Sequence, residues 1–302
     1  MTRSLYGEVT AKIIDAIEEG VGTCVMPWHK TASTSVPANG ISGRPYRGIN
    51  ILLLWLAARQ RGFASGRWAT YRQWAAQGFQ VRQGERATTV LLWKPAAQTT
   101  GDDSASTDAS ARVLARSFWV FNIAQTNADP LIHEELSDCE RIAAAEQFFA
   151  AQPARIWDGS DVAFYDPQDD SISMPSFGRF VSAKAYYSVL AHELTHWAGA
   201  EPRLNRDLSG RFGSAAYAME ELVAELGAAF IGAKLGLPSE PRTDHAPYIA
   251  SWLRVLRADP RAIFTAAGKA QEAADYLIQL GGLAHGSGER PLPVVTSYGA
   301  AV

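Results

Sequence analysis

One short stretch of the chain has the residue types and spacing of a metal-dependent hydrolase: His192, Glu193 and His196 in LAHELTHWAG, residues 190–199. On an α-helix, residues four apart are offset by about 40 degrees, so the two imidazoles point the same way and can share one ion. Glu193, one residue on, can reach a water held by that ion rather than the ion itself, which is the place of a general base. A catalytic zinc ion takes three protein ligands and leaves a fourth position open, so the pattern demands a third ligand from another element. The segment YAMEELVAELGAAFIGAKLG, residues 217–236, offers acids at helical spacing. Within it Glu221 and Glu225 share a face with Ala224 and Ala228, opposite an apolar stripe of Leu222, Leu226 and Phe230. Glu221 is assigned as the third ligand. Glu225, one turn later, is assigned as the carboxylate that accepts a hydrogen bond from a ligating histidine. Glu225 or Glu220 as the ligand is the alternative. The expected cofactor is Zn2+ and the expected reaction peptide hydrolysis, with water brought to a pKa of about 7, Glu193 as its base, and Tyr217, Tyr186 or Arg206 facing the developing oxyanion. A bare His-Glu-x-x-His is short enough to arise by chance; the phased acids on a second helix lift it above that level.

Both helices need neighbours to hold them. Ser182 caps the first and Gly199 stops it, while Gly236 with Pro238 ends the second. An amphipathic helix over 136–152 and a strand over 161–175 precede the pair, and two or three helices follow over 245–280. Upstream, Leu5, Val9, Ile13, Ile14 and Ile17 give residues 2–19 a helical stripe, and an apolar helix starts near Ile49. A short helix covers TYRQWAAQ, and RATTVLLWK and RVLARSFWVFNIAQ have the β-branched and aromatic content of two strands that pair. Residues 95–111 between them, small, polar and acidic, read as a mobile loop, and 126–135 as a linker. The expected fold class is therefore α+β: a small mixed domain over 1–128, then a mainly helical domain with a small sheet over 136–285 and a poorly ordered tail at 286–302.

The net charge of −3 conceals an asymmetry. Residues 1–125 carry 14 Lys and Arg against 8 Asp and Glu, or +6, which leaves 14 against 23, or −9, for the remainder. Six of the nine tryptophans also fall in that basic part. Aromatic rings stack on unpaired bases and guanidinium groups neutralise phosphates, a combination suited to single-stranded DNA. Trp28, Tyr46, Trp68 and Tyr71, in or beside loops with Arg44, Arg47, Arg67 and Arg72, are the expected contacts, whereas Trp55, Trp93 and Trp119 read as core. The histidines at 29, 133, 245 and 285 read as ordinary surface residues. No uninterrupted apolar run reaches membrane-spanning length and the N-terminal stretch lacks the form of a signal peptide, so the expectation is a cytoplasmic protein with no membrane contact. Cys24 and Cys139, far apart and without metal-ligand spacing, read as structural.

Taken in order, SGRPYRGINILLLW, WATYRQW, VRQGERATTVLLW, LAHELTHWAG, RLNR and YAMEELVAELGAAF resemble the ArdC-type antirestriction proteins of conjugative plasmids over nearly the whole chain. The resemblance implies an N-terminal single-stranded DNA-binding domain, related to a segment of plasmid primases, joined to a zincin-like metallopeptidase domain. It also implies protection of incoming plasmid DNA from host restriction; it does not name the peptidase's target, for which a host restriction-system protein is one candidate. His192, Glu193 and His196 match the family's motif directly; the third ligand rests on helix phasing alone. Two other readings stand beside this one: a regulatory zinc peptidase that cleaves a DNA-bound repressor, and a DNA-coating protein with a structural zinc site.

Overall fold

Ser4 opens the first helix by accepting the Gly7 N–H on its hydroxyl, and Val9, Ile13 and Ile17 turn one buried stripe of α1 (Leu5–Gly20) inward. The computed structural model describes residues 4–21, 26–29, 35–95, 113–128, 138–211, 213–237 and 246–283. The loop at 96–111, residues 129–135 of the expected linker, the tail, Cys24, His133, His245 and His285 all lie outside them, as do the side chains of Trp93 and Cys139.

A four-stranded sheet follows α1, in the order β1-β2-β4-β3: β1 (Ala38–Asn39), β2 (Arg67–Ala69), β3 (Thr88–Pro95) and β4 (Val113–Asn122). The two expected strands pair antiparallel, Thr88 opposite Val120 through Pro95 opposite Val113. Between β1 and β2 runs α2 (Ile49–Arg61), buried along most of its length and stopped by Gly62 at φ 69. Asn50 on α2 serves the exposed edge of β3: its amide accepts the Leu91 N–H and donates to the Leu91 carbonyl, both at 2.7 Å. A capping box of Thr70 and Gln73 starts α3 (Tyr71–Ala76). Alternation along β2 sends Trp68 into a cluster with Leu54, Val90 and Val120, and Ala69 into another with Trp74, Val81 and Ile123. The sheet thus has a small core on each face.

After α4 (Asp138–Ala150) comes a second sheet, β5-β7-β6, with β5 (Arg155–Asp158) parallel to β7 (Ser171–Met174) and β6 (Phe164–Asp166) antiparallel to it. The single strand expected over 161–175 is therefore a hairpin. Pro167 cannot continue a ladder, and Asp170 turns the chain at φ 49, a left-handed conformation that Asp tolerates better than most residues. Arg203 fixes the turn by pairing with Asp170 while stacking 4.0 Å above the Trp197 ring.

Four helices complete the fold: α5 (Ala183–Ala198), α6 (Ala215–Lys234), α7 (Ala246–Ala258) and α8 (Ala262–Leu280). Buried residues on nearly every side of α6, from Leu222 to Ile231, place it centrally, against α5, α7 and α8. One apolar cluster extends from Val9 through Trp55 and Phe230 to Leu277. The N-terminal helix belongs to it. Thr10 donates to the Pro260 carbonyl at 2.6 Å, Tyr6 meets Phe264 edge-on, and Glu18 pairs with Arg257.

Candidate metal centre

Two helices bring the expected residues together. Ser182 accepts the Ala185 N–H and starts α5, which buries His192 and Glu193 and leaves His196 half-buried. Ser214 does the same for α6 by accepting the Tyr217 N–H. The helices can approach because Gly227 faces Thr195: a Cβ at Gly227 would stand 2.6 Å from Thr195 Cγ2. That approach sets Glu221 opposite the histidines. The Nε2 atoms of His192 and His196 lie 3.2 Å apart, and Glu221 reaches them at 3.5 and 3.6 Å, one oxygen to each. A tetrahedral ion bonded at about 2.0–2.1 Å has ligand-to-ligand edges of about 3.3 Å. One atom from each of the three residues lies within 4.8 Å of the other two, close enough to share one ion. Among the described residues, His192, His196 and Glu221 are the one cluster of this kind.

Both histidines have a carboxylate behind them. Glu220 accepts from His196 Nδ1 at 3.1 Å and is itself clamped by Arg206, whose Nη2 and Nε meet its two oxygens at 2.6 and 3.0 Å. Arg206 Nη2 also donates to the Thr195 carbonyl at 2.6 Å, tying the clamp to α5. Glu225 stands behind His192, with Oε2 3.7 Å from Nδ1. Burial by itself would raise the Glu221 carboxyl; the imidazoles of His192 and His196, with the Tyr217 hydroxyl, override it and hold the group at about 2. Burial likewise works against the Glu220 carboxylate and is outweighed by His196 and Arg206, so its pKa is lowered. Both carboxylates are charged at neutral pH, as a cation site requires.

The three atoms face a cleft of about 320 Å³ lined also by Glu193, Tyr217, Tyr248 and the β6 residues Phe164 and Tyr165. Tyr217 sits one helical turn before Glu221, its hydroxyl 3.4 Å from that of Tyr248. Burial first, then the contacts with Tyr248 and Glu221, raise its pKa, so it keeps its proton. Of the other two oxyanion candidates, Arg206 is committed to Glu220, and Tyr186 packs among Phe177, Phe180 and Tyr187 away from the cleft. Glu220 as a partner of His196 was the role missed: phasing put Glu221 and Glu225 on the shared face and left Glu220 only as an alternative ligand.

The residues expected at single-stranded DNA divide by burial. Arg67 is 3% exposed and Trp68 0%, because β2 is an interior strand of the sheet and both its faces are covered. Trp28 is 3% exposed and donates its indole N–H to Glu225, and His29, expected at the surface, is 1% exposed beside it. Tyr46 is half-buried, its hydroxyl donating to the Trp68 carbonyl at 3.4 Å. Arg47 is exposed but paired with Asp275. Arg44, Tyr71 and Arg72 do face solvent. Trp55 is buried as expected, whereas Trp119, expected in the core, is 65% exposed. Trp119 shares a face of β4 with Phe121, whose ring contacts that of Tyr71 at 6.5 Å between centroids. Trp119, Phe121 and Tyr71 thus form an aromatic row, and Arg72 lies next to it in sequence.

Comparison with known proteins agrees with both halves. Residues 3–121 match the model of the N-terminal domain of anti-restriction factor ArdC, and residues 143–269 match that of a zincin-like metallopeptidase. An uncharacterized protein of Sinorhizobium fredii, y4eC, is 49% identical over 90% of this chain and 91% of its own length. The DNA primase TraC of Escherichia coli is 35% identical over 91% of this chain, which spans 27% of the primase. Among solved structures, the metal-free antirestriction ArdC protein from the R388 plasmid superposes with a TM-score of 0.77 at 37% identity, covering 93% of this chain and 98% of that one. Its Mn(II)-bound form superposes at 0.73 with 38% identity, covering 92% and 98%.

Proposed function

The chain belongs to the ArdC family of antirestriction proteins, and from that premise we propose that it is a metallopeptidase that also binds single-stranded DNA, protecting DNA that enters a cell from restriction. The observation that carries this reading is the meeting of three ligand atoms within 4.8 Å of one another, with Glu193, in one open cleft. A structural zinc site is closed by four protein ligands, so the open cleft argues against a purely structural ion. His192, His196 and Glu221 would hold the ion. Zn2+ is the proposed one, since two imidazoles and a carboxylate are a common catalytic zinc set, although a relative was solved with Mn(II). When bound, such an ion acts as a Lewis acid on water and on a carbonyl oxygen.

The chain's own residues do the rest. Glu193 accepts a proton from the attacking water and returns it to the departing amine. Tyr217, kept protonated, donates a hydrogen bond to the oxygen on which charge develops. β6 is an edge strand beside the cleft, so an extended polypeptide can add to it and lie across the ligands. The proposed substrate is accordingly an unfolded or looped segment of a protein, here one of the host restriction system. The row of Trp119, Phe121 and Tyr71, with Arg72 and Arg44, is the proposed face for unpaired bases and their phosphates. Among the described residues no helix is long and apolar enough to cross a membrane, and the cytoplasm is the proposed place of action.

The test is Glu193→Gln in the full chain. Loss of protection from restriction, with Zn2+ and single-stranded DNA binding retained, is the expected result; full protection by this variant overturns the catalytic reading.

A further inference from the structure

Glu225 takes its support from the opposite end of the chain. Trp28 Nε1–H donates to Oε1 at 2.9 Å across 197 residues of sequence. His29 Nε2 lies 2.8 Å from the same oxygen. The other nitrogen of His29 fixes the tautomer: Nδ1 accepts the Met26 backbone N–H at 3.1 Å, so the proton sits on Nε2 and is donated to Glu225. The second oxygen of Glu225 faces His192 Nδ1. All four side chains are deeply buried, at 3, 1, 4 and 5% exposure for Trp28, His29, Glu225 and His192. Trp28 also leads to the cleft wall. Its ring lies 6.1 Å from that of Trp252, which stacks on Tyr248, the partner of Tyr217.

We propose that Trp28 and His29 are positioning residues of the metal centre, fixing the Glu225 carboxylate and, through it, the ring of His192. A ligating imidazole owes its orientation to the acceptor behind its second nitrogen, and that acceptor orients only if it cannot swing. Two N–H groups on Oε1 hold Glu225 with Oε2 turned to His192. The N-terminal segment therefore completes a centre whose ligands all come from α5 and α6, and the C-terminal segment alone lacks part of its support.

The inference rests on the metal-centre reading, so the test begins with the unaltered full-length chain, titrated with Zn2+ against a chromophoric chelator. Absence of Zn2+ binding there refutes the metal centre itself. With binding established, Trp28→Phe keeps an aromatic ring on the Trp252 side while removing the N–H together with part of the indole, and His29→Leu removes the second donor. Each is expected to weaken Zn2+ binding about 10- to 100-fold. His29→Gln keeps an amide donor within reach and is expected to restore part of the loss. Trp28→Phe combined with Glu225→Gln is expected to bind no more weakly than Glu225→Gln alone, because the effect passes through Glu225. Unchanged Zn2+ affinity in Trp28→Phe, with an unchanged circular dichroism spectrum, overturns the proposal, as do losses that multiply in the double variant.

Discussion

Gly227→Ala tests whether the spacing of α5 and α6 sets the metal centre. The added methyl carbon would stand 2.6 Å from Thr195 Cγ2 and 2.7 Å from its Oγ1. Carbon atoms rest at about 3.5–4.0 Å, so the helices must part by about 1 Å at this point. Over-packing of this kind costs about 1–3 kcal/mol, and Ala in place of Gly inside a helix returns up to about 1 kcal/mol. The net loss of stability is thus about 1 kcal/mol, a fall in melting temperature of about 2–4 °C. Metal binding should suffer more. Glu221 and the two histidines sit on opposite sides of the seam at 3.5 and 3.6 Å, and a site of this kind tolerates only about 0.5 Å of displacement. The expected outcome is at least a tenfold weaker Zn2+ affinity by chelator competition, in a chain that melts only slightly early. Thr195→Ala removes both clashing atoms, at the cost of the Thr195 hydroxyl bond to the Ala191 carbonyl, and in combination with Gly227→Ala should recover most of the affinity. A Gly227→Ala chain that binds Zn2+ as tightly as the parent refutes the reasoning.

Arg206→Leu strips Glu220 of its clamp and leaves a buried carboxylate without its cation, so stability should drop by about 3–5 kcal/mol in urea unfolding; a loss below about 1 kcal/mol contradicts the assigned role. Tyr217→Phe should lower peptidase turnover about 10²–10³-fold while Zn2+ affinity holds, and equal losses in both would mark Tyr217 as structural. Trp119→Ala should weaken single-stranded oligonucleotide binding by about 1–3 kcal/mol in fluorescence anisotropy with the melting temperature unchanged; unaltered binding moves the DNA face elsewhere. Asp170 is held below the ordinary carboxylate range, chiefly by its hydrogen bond from Arg203. Its folded pKa is depressed, so its contribution is present above the unfolded value of about 3.9 and is lost as pH falls through the lowered folded value. Because Asp170 is 47% exposed the effect is small, under about 1 kcal/mol, and Asp170→Asn should flatten the urea midpoint below about pH 4 relative to the parent.

Much of the metal centre was legible because its geometry is local. His192, Glu193 and His196 sit within two turns of one helix, and the phase of α6 put Glu221 first while leaving Glu220 and Glu225 open. What escaped depends on contacts between distant segments. Periodicity cannot tell that Arg206 closes on Glu220, nor that Trp28 and His29 reach Glu225 from nearly two hundred residues away. The DNA face was misread for a related reason. A short strand such as β2 looks like a loop when flanked by Gly66 and Thr70, yet its place inside the sheet buries Arg67 and Trp68. Trp119 has the pattern of a core strand residue, but its stretch of β4 presents it to solvent beside Tyr71 and Phe121. The turn between β6 and β7 was missed, the segment being read as one strand although Pro167 and the Asp pair at 169–170 punctuate it.

The docking of α1 on α7 and α8 bears on how the chain is made. Val9, Ile13 and Ile17 emerge from the ribosome about 240 residues before Ile249, Trp252, Leu256 and Ile263, members of the same apolar cluster. At synthesis rates of about 5–20 residues per second, the first helix waits roughly ten to fifty seconds for its partners. Throughout that interval its apolar stripe lies open to chaperones and to neighbouring nascent chains. Contacts of such sequence separation also slow folding, because a long loop must close before they form.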